Sequence, residues 1–161
     1  MSVLEKLSVT INRWIEYLLF GLGFTMTVVV AVQVLFRYGF NQSLFWSEEL
    51  ARYLLVWLSF LGASAAYRRK VHPGIDILQA KFPGALQKIS IITVHVASLI
   101  LFAVMIFFGY RFAYFVRLQI SPALYLPKWI VFSIIPISGT ILMIHGINFL
   151  LQEWAGNTRD N

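Results

Sequence analysis

Two histidines, His95 and His145, are the side chains within long apolar stretches that could do chemistry. Helix rise places both rings ~10 Å from the same edge of their stretches. Two imidazoles at one depth could ligate a haem iron, which would make the chain a b-type cytochrome membrane subunit. Alternatively, each ring hydrogen-bonds a nearby carbonyl or hydroxyl, such as that of Thr93, Ser98 or Thr140. We favour the second interpretation and expect no cofactor in this chain.

A second group of reactive side chains is charged and surrounds the start of the second apolar stretch. Glu48 and Glu49 lie four and three residues before Arg52, so on a helix either carboxylate can pair with the guanidinium. Ser47 is the predicted N-cap of that helix, and Arg37 follows the preceding apolar stretch. The pattern is typical of an ion-pair clamp between two helices, of a docking surface for another protein, or of both.

Composition excludes several classes of protein. Of the 161 residues, 59% are hydrophobic and only 12% are charged, which argues against a soluble domain. The chain has no cysteine, so thiolate catalysis, iron–sulfur clusters and Cys-type zinc sites are excluded. No phosphate-binding glycine loop, HExxH helix or nucleophile elbow occurs either. We therefore expect no enzyme, no catalytic residue and no metal site.

Four apolar stretches are long enough, or nearly so, to cross a membrane, which takes roughly 20 residues. They predict an all-α integral membrane protein with four transmembrane helices in a single domain, residues 1–161. The predicted spans are approximately 15–37, 46–67, 87–112 and 128–152. Tryptophan favours the headgroup level, and four tryptophans flank these spans as interface anchors: Trp14, Trp46, Trp129 and Trp154.

Basic residues in short loops predict the orientation. With both termini cytoplasmic, the inner side carries eight of the 13 Lys and Arg residues and the outer side five. Arg68, Arg69 and Lys70 adjoin a helix end and are expected to fix the topology and to contact anionic lipid. The net charge of +6 then reflects topology, and we expect no nucleic acid partner. Two Pro-Gly pairs within residues 68–88 frame a predicted short amphipathic helix at the inner surface.

The predicted outer loop, residues 111–128, combines cations with aromatic residues. Arg111 and Arg117 alternate with Tyr114, Phe115 and Tyr125. This composition suits a protein contact or an interfacial anchor. The middle of each span lacks Asp and Glu, which argues against a third alternative, a self-contained small channel or exporter.

The stretch Phe45–Trp57, FWSEELARYLLVW, closely resembles the small membrane subunit of TRAP transporters, the tripartite ATP-independent periplasmic carriers; this subunit is DctQ-like. The W-x-E-E-x-x-R-x-x-x-x-W core carries most of the resemblance. Three further segments are also similar to that family: the continuation through Gly62 to His72, the preceding Gln33–Tyr38 and, less distinctively, Ser121–Pro127. Length, four spans and inner termini agree along almost the whole chain.

The resemblance implies a function. In this family a soluble periplasmic protein captures an organic acid, such as a C4-dicarboxylate or sialic acid, and delivers it to a membrane pair. The large subunit carries the substrate and sodium sites, and the small subunit holds it in place and offers part of the docking surface. The implied partners are a large multi-span subunit, a periplasmic binding protein and lipid, at the bacterial inner membrane. The expected docking residues are Arg37, Trp46, Glu48, Glu49, Arg52, Arg111 and Arg117.

Overall fold

The computed structural model describes residues 3–69 and 84–157, and the side chains of 4–69, 89–90 and 92–152. The predicted inner-surface helix and Lys70 fall largely or wholly outside these ranges, as does the side chain of Trp154. The described residues form five helices: α1 (Val3–Gly39), α2 (Phe45–Arg68), α3 (Gly84–Phe115), α4 (Lys128–Phe132) and α5 (Ile134–Asn157).

The all-α prediction is confirmed, and four helical segments are long and apolar enough to cross a membrane. The helices run past the predicted spans, most of all α1, which begins at Val3 rather than near residue 15. The predicted span was limited to the apolar stretch and its immediate flanks, whereas an α-helix continues through charged residues once it has formed. These segments are Leu4–Gly39, Phe45–Arg68, Ile92–Phe115 and Lys128–Gln152.

The helices stand in a row in the order α1, α2, α5, α3. Helix α2 packs against α1 and α5, α1 also touches α5, and α3 packs against α4 and α5. Within the described ranges α1 and α3 make no contact. One end of the row, here called the terminal end, holds the start of α1 and the end of α5. The other, the loop end, holds the 40–44 and 116–127 connections.

The orientation of this row across the membrane remains a prediction, in which the terminal end is cytoplasmic. Trp14 on α1 and Trp129 on α4 are 71% and 46% exposed, so both rings are free to lie at a membrane interface. One cluster of buried apolar residues in the bundle consists of Ile15, Leu61, Ala65 and Ile134.

The fourth span is interrupted between α4 and α5. Pro136 has no N–H to donate to the carbonyl of Phe132, four residues earlier, so the α-helical ladder breaks there. The Ser133 hydroxyl donates to the Ile130 carbonyl at 2.7 Å. The fourth span is therefore interrupted at Ser133, about one turn before the proline.

Candidate functional site

The 116–127 loop at the loop end is closed by its own hydrogen bonds. Ile120 and Pro127 form an antiparallel bridge. The Ser121 N–H donates to the Leu126 carbonyl at 2.9 Å, and the Leu126 N–H donates back to the Ser121 hydroxyl at 3.1 Å. Ser121 is only 2% exposed. The loop is therefore a compact unit with a buried serine at its base.

Glu49, near the start of α2, fastens this loop to the helix row. Its Oε2 accepts a hydrogen bond from the Ala123 N–H at 2.8 Å, and the side chain is only 8% exposed. The hydroxyls of Tyr53 and Ser121 and the N–H of Leu124 also face the carboxylate. Oε1 itself is buried without a hydrogen-bond partner among the described residues. The Glu49 carboxylate thus attracts several hydrogen-bond donors, and those of Ser121, Ala123 and Leu124 belong to a loop distant in sequence.

The predicted pairing of Arg52 with Glu48 or Glu49 is wrong for the part of the chain that the structure describes. Arg52 is exposed and forms no salt bridge there. Glu49 turns inward to the loop, and Oε1 of Glu48 accepts a weaker bond from Nε2 of Gln33 at 3.3 Å. Spacing on a helix permits an ion pair but does not require one, because buried backbone donors compete for the carboxylate.

The predicted N-cap is also wrong. Helix α2 begins at Phe45, with Leu44 at the N-cap position and no side-chain cap. The Ser47 hydroxyl lies inside the first turn, completely buried, and donates to the Leu44 carbonyl at 2.7 Å. Ser47 therefore stabilises the first turn of α2 by a hydrogen bond inside that turn and does not cap the helix.

The loop end presents a mixed aromatic and basic surface around the Glu49 anchor. Arg37, Trp46 and Arg52 are all exposed, with Trp46 at 41%. Tyr125, at the loop tip, is 78% exposed and has a φ of 53°, in the left-handed region that a tyrosine rarely adopts. We call this set of four residues, together with Glu48, the loop-end surface. Further large apolar side chains are exposed close to it in sequence: Phe40, Phe45, Leu118 and Ile120.

Arg111 and Arg117 also lie at or near the loop end, but on the α3 side of it. They lie on or just after α3, at the opposite edge of the row from α1, which carries Arg37. The Arg117 guanidinium stacks 3.7 Å from the centre of the Tyr114 ring, and that of Arg111 lies 5.7 Å from the centre of Phe107. The structure therefore divides the seven predicted docking residues into two groups.

At the terminal end, buried polar residues join α1, α2 and α5. His145 has no exposed surface, and its Nδ1 lies 2.8 Å from the Ser8 hydroxyl oxygen. Asn148, one turn further along α5, is 1% exposed. Ser64 on α2 is also completely buried. Helices α1 and α5 therefore share a buried polar contact within an otherwise apolar bundle, and α2 adds a buried hydroxyl without a hydrogen-bond partner among the described residues.

The expected kind of partner for His145, a hydroxyl, is correct, but its identity was missed. Thr93 and Thr140 donate to carbonyls of their own helices, four residues earlier. Ser98 lies beside the Tyr67 hydroxyl. Ser8 could not be chosen from the sequence because the predicted first span began seven residues after it. His95 is half-buried on α3 and has a partner of its own.

Arg68 and Arg69 contact neighbouring helices. Nη2 of Arg69 lies 2.8 Å from Oε1 of Glu16 on α1, and the Asn12 amide donates to the same oxygen at 2.7 Å. The Arg68 guanidinium lies 5.5 Å from the centre of the Phe149 ring on α5. Glu16 was not among the predicted site residues, although an acid in the first half of one helix and a cation at the end of the next can pair across an antiparallel hairpin.

The described ranges contain no group of three His, Asp or Glu side chains placed to hold a metal ion. The completely buried His145 ring lies in a packed three-helix interface, so a porphyrin could reach its free Nε2 only by separating helices. The absence of a cofactor stays a prediction for the purified protein.

Comparison with known proteins identifies the family. A sequence profile for the DctQ component of tripartite ATP-independent periplasmic transporters matches residues 26–156. The isethionate TRAP transporter permease protein DctMQ of Oleidesulfovibrio alaskensis is 31% identical over 119 residues, 71% of this chain and 18% of that protein. The sialic acid TRAP transporter permease protein SiaT of Haemophilus influenzae is 34% identical over 101 residues, 63% and 16% of the two chains.

A shorter relative has a more similar length. The sialic acid TRAP transporter small permease protein SiaQ of Vibrio cholerae is 28% identical over 110 residues, 68% of this chain and 64% of that protein. The matched segment thus spans between 16% and 64% of the length of these three relatives. Because the profile covers most of the chain, including α2 with its Glu49 anchor, the chain belongs to the DctQ-component family of tripartite ATP-independent periplasmic transporters.

Proposed function

We propose that this chain is the small scaffold and docking subunit of a sodium-coupled importer of organic acids in a bacterial inner membrane. Family membership and relatives named for sialic acid, C4-dicarboxylate and isethionate transport support this function. In this proposal the chain does no chemistry itself. It packs against a large membrane subunit, which carries the substrate and sodium, and helps to receive a periplasmic binding protein.

The large-subunit partner is supported by the longest relatives. The matched segment occupies 18% of the isethionate permease and 16% of the sialic acid permease, so in each a similar segment belongs to a much longer permease protein. We infer that the present chain packs against an equivalent large permease part.

A groove between α1 and α2 is the proposed contact for that partner. It has a volume of about 370 Å³ and is lined by Leu19, Gly62 and Ala66, with Glu16 and Arg69 among its other lining residues. Small residues let a second helix approach closely in a membrane. A Cβ atom at Gly62 would meet nothing within 4 Å in this chain, so the space above it is open to a partner helix.

The observation that carries the docking function is the Glu49 anchor. A buried carboxylate holds the 116–127 loop on α2 and so fixes Tyr125 relative to Trp46 and Arg52. The loop-end surface then has a fixed backbone and exposes aromatic and arginine side chains. Such side chains are enriched where proteins bind one another.

The test is mild-detergent purification of the tagged chain from its native membrane, followed by mass spectrometry of what comes with it. We expect a stoichiometric complex with the wild type and loss of the large subunit with Gly62→Leu. Gly21→Leu is the matched control, since Gly21 is also a helical glycine with open space around it. Retention of the large subunit by Gly62→Leu would place the contact elsewhere on the chain.

The same sample distinguishes the alternatives. A Soret band that disappears in His95→Ala and His145→Ala variants would support a b-type cytochrome subunit. Solute movement by the chain alone in liposomes would support a self-contained channel or exporter. We expect the chain alone to show no Soret band and to move no solute. Uptake should occur only when the large subunit and a binding protein are also present.

A further inference from the structure

A second groove lies on the opposite edge of the row, along the half of α3 nearest the loop end. It has a volume of about 860 Å³ and is open to the surroundings of the helix. Most of its lining is apolar and comes from consecutive turns of α3, with one residue from α5: Val104, Met105, Phe108, Phe112 and Ile135. A groove of this composition along a membrane-spanning helix suits a hydrocarbon chain.

Two cations line the same groove. Arg111 and Arg117 are both exposed, and in the described ranges neither forms a salt bridge. Each guanidinium instead rests against an aromatic ring, Phe107 or Tyr114. Stacking on a ring leaves the N–H donors at the guanidinium edge free. Such a fork matches the oxygens of a phosphate group in geometry and in charge.

The position of these cations along α3 sets the depth of the charge. The span ends at Phe115, so Arg111 lies in its last turns and Arg117 just beyond it. That is the level at which lipid headgroups meet a membrane protein. The positive charge thus stands at one end of the groove, and the apolar lining extends from it towards the membrane centre.

We propose that this groove binds an anionic phospholipid, with the phosphate between Arg111 and Arg117 and one acyl chain along Val104, Phe108 and Phe112. A free phosphate or other soluble anion would leave the apolar part of the groove empty. A neutral apolar helix would leave two arginines without an anionic partner. The anionic phospholipid matches both ends of the groove at once.

The test compares the purified chain in phosphatidylcholine nanodiscs with and without added phosphatidylglycerol. Native mass spectrometry measures the lipid that stays bound, and thermal unfolding measures the stabilisation. We expect wild-type protein to retain phosphatidylglycerol preferentially, and Arg111→Gln/Arg117→Gln to retain it about thirtyfold less, as the loss of two phosphate contacts implies. Lys6→Gln/Arg13→Gln is the matched control, because it removes two exposed cations from α1, away from this groove, and should leave retention unchanged.

A charge-preserving variant guards against misfolding. Arg111→Lys/Arg117→Lys keeps the cations and should recover part of the preference for phosphatidylglycerol. Equal retention of phosphatidylglycerol by wild type and Arg111→Gln/Arg117→Gln would overturn the proposal. So would a cross-link from the Arg111→Cys variant to the large subunit in the assembled complex, which would assign the groove to protein.

Discussion

Oε2 of Glu49 accepts a hydrogen bond from the Ala123 N–H at 2.8 Å, across 74 positions of sequence. The bond joins the first turn of α2 to the tip of a loop that leads into the fourth span. Because Glu49 is nearly fully buried, its charge is not available to a partner. Its contribution to docking is indirect: it positions the loop that displays Tyr125.

The first prediction concerns this anchor. Glu49→Gln replaces an acceptor-only carboxylate with an amide whose NH₂ group faces several donors, so one buried polar contact becomes repulsive. We expect the apparent melting temperature in mild detergent to fall by several degrees, and the 116–127 loop to become sensitive to limited proteolysis. Glu48→Gln is the control, because Glu48 is exposed and, in the described part of the chain, bonded to Gln33 alone. Equal behaviour of the two variants would mean that Glu49 does not hold the loop.

The second prediction separates stability from docking at Tyr125. A tyrosine with a φ of 53° costs about 1–2 kcal/mol relative to glycine, which adopts this conformation freely. Tyr125→Gly should therefore raise the melting temperature, while it removes the exposed ring and weakens uptake that depends on the binding protein. Asn41→Gly is the matched control, with the same φ at a residue that tolerates it, and should change neither quantity much. Unchanged uptake in Tyr125→Gly would remove the tyrosine from the docking surface.

The fold was largely predictable, because the length and polarity of an apolar stretch determine whether it spans a membrane. The neighbours within the bundle were not, since all four spans are apolar nearly all round and the sequence provides no face to orient. The Glu49 anchor shows the same limit. Its position beside Glu48 and Arg52 was evident, but its partner is a backbone N–H, which no residue type can reveal.

Polar partners across helices were missed for a related reason. Ser8 and Glu16 lie in the first half of α1. The predicted first span began at about residue 15, so Ser8 lay outside it and Glu16 lay at its edge. Once α1 is extended to Val3, both residues come level with the ends of α2 and α5. Predicting His145 with Ser8 would have required the true helix boundary and the packing order, and neither follows from residue types alone.

The third prediction tests that buried pair. Ser8→Ala removes the hydroxyl next to Nδ1 of His145 and leaves a completely buried ring nitrogen without a partner. We expect a loss of about 1–3 kcal/mol in unfolding free energy, the usual cost of an unsatisfied buried polar atom. Thr10→Ala is the control, because the Thr10 hydroxyl is exposed and bonds only within its own helix. If both substitutions cost the same, the Ser8–His145 bond contributes nothing measurable.

The fourth prediction tests the orientation. The chain has no cysteine, so single cysteines can be introduced without removing any. We expect a membrane-impermeant maleimide added to spheroplasts to label Asn41→Cys, at the loop end, and to label Lys6→Cys only after lysis. The reverse pattern would place both termini on the outer side and would overturn the prediction from basic residues.

The fifth prediction concerns the close approach of α3 and α5 at Gly109. A Cβ atom there would lie 2.9 Å from both Cγ2 of Ile135 and Cδ of Pro136, and 3.0 Å from the Pro136 nitrogen. The proline ring and backbone cannot move aside as a flexible side chain can, so Gly109→Ala must push the helices apart. We expect a loss of about 1–3 kcal/mol, as for other overpacked sites. Gly21→Ala, on the open side of α1, should instead be neutral or stabilise by up to about 1 kcal/mol, because alanine is the better helix former. A neutral Gly109→Ala would show that α3 and α5 are less tightly packed than this contact requires. The proposed lipid groove, which Gly109 and Ile135 both line, would then have a different shape.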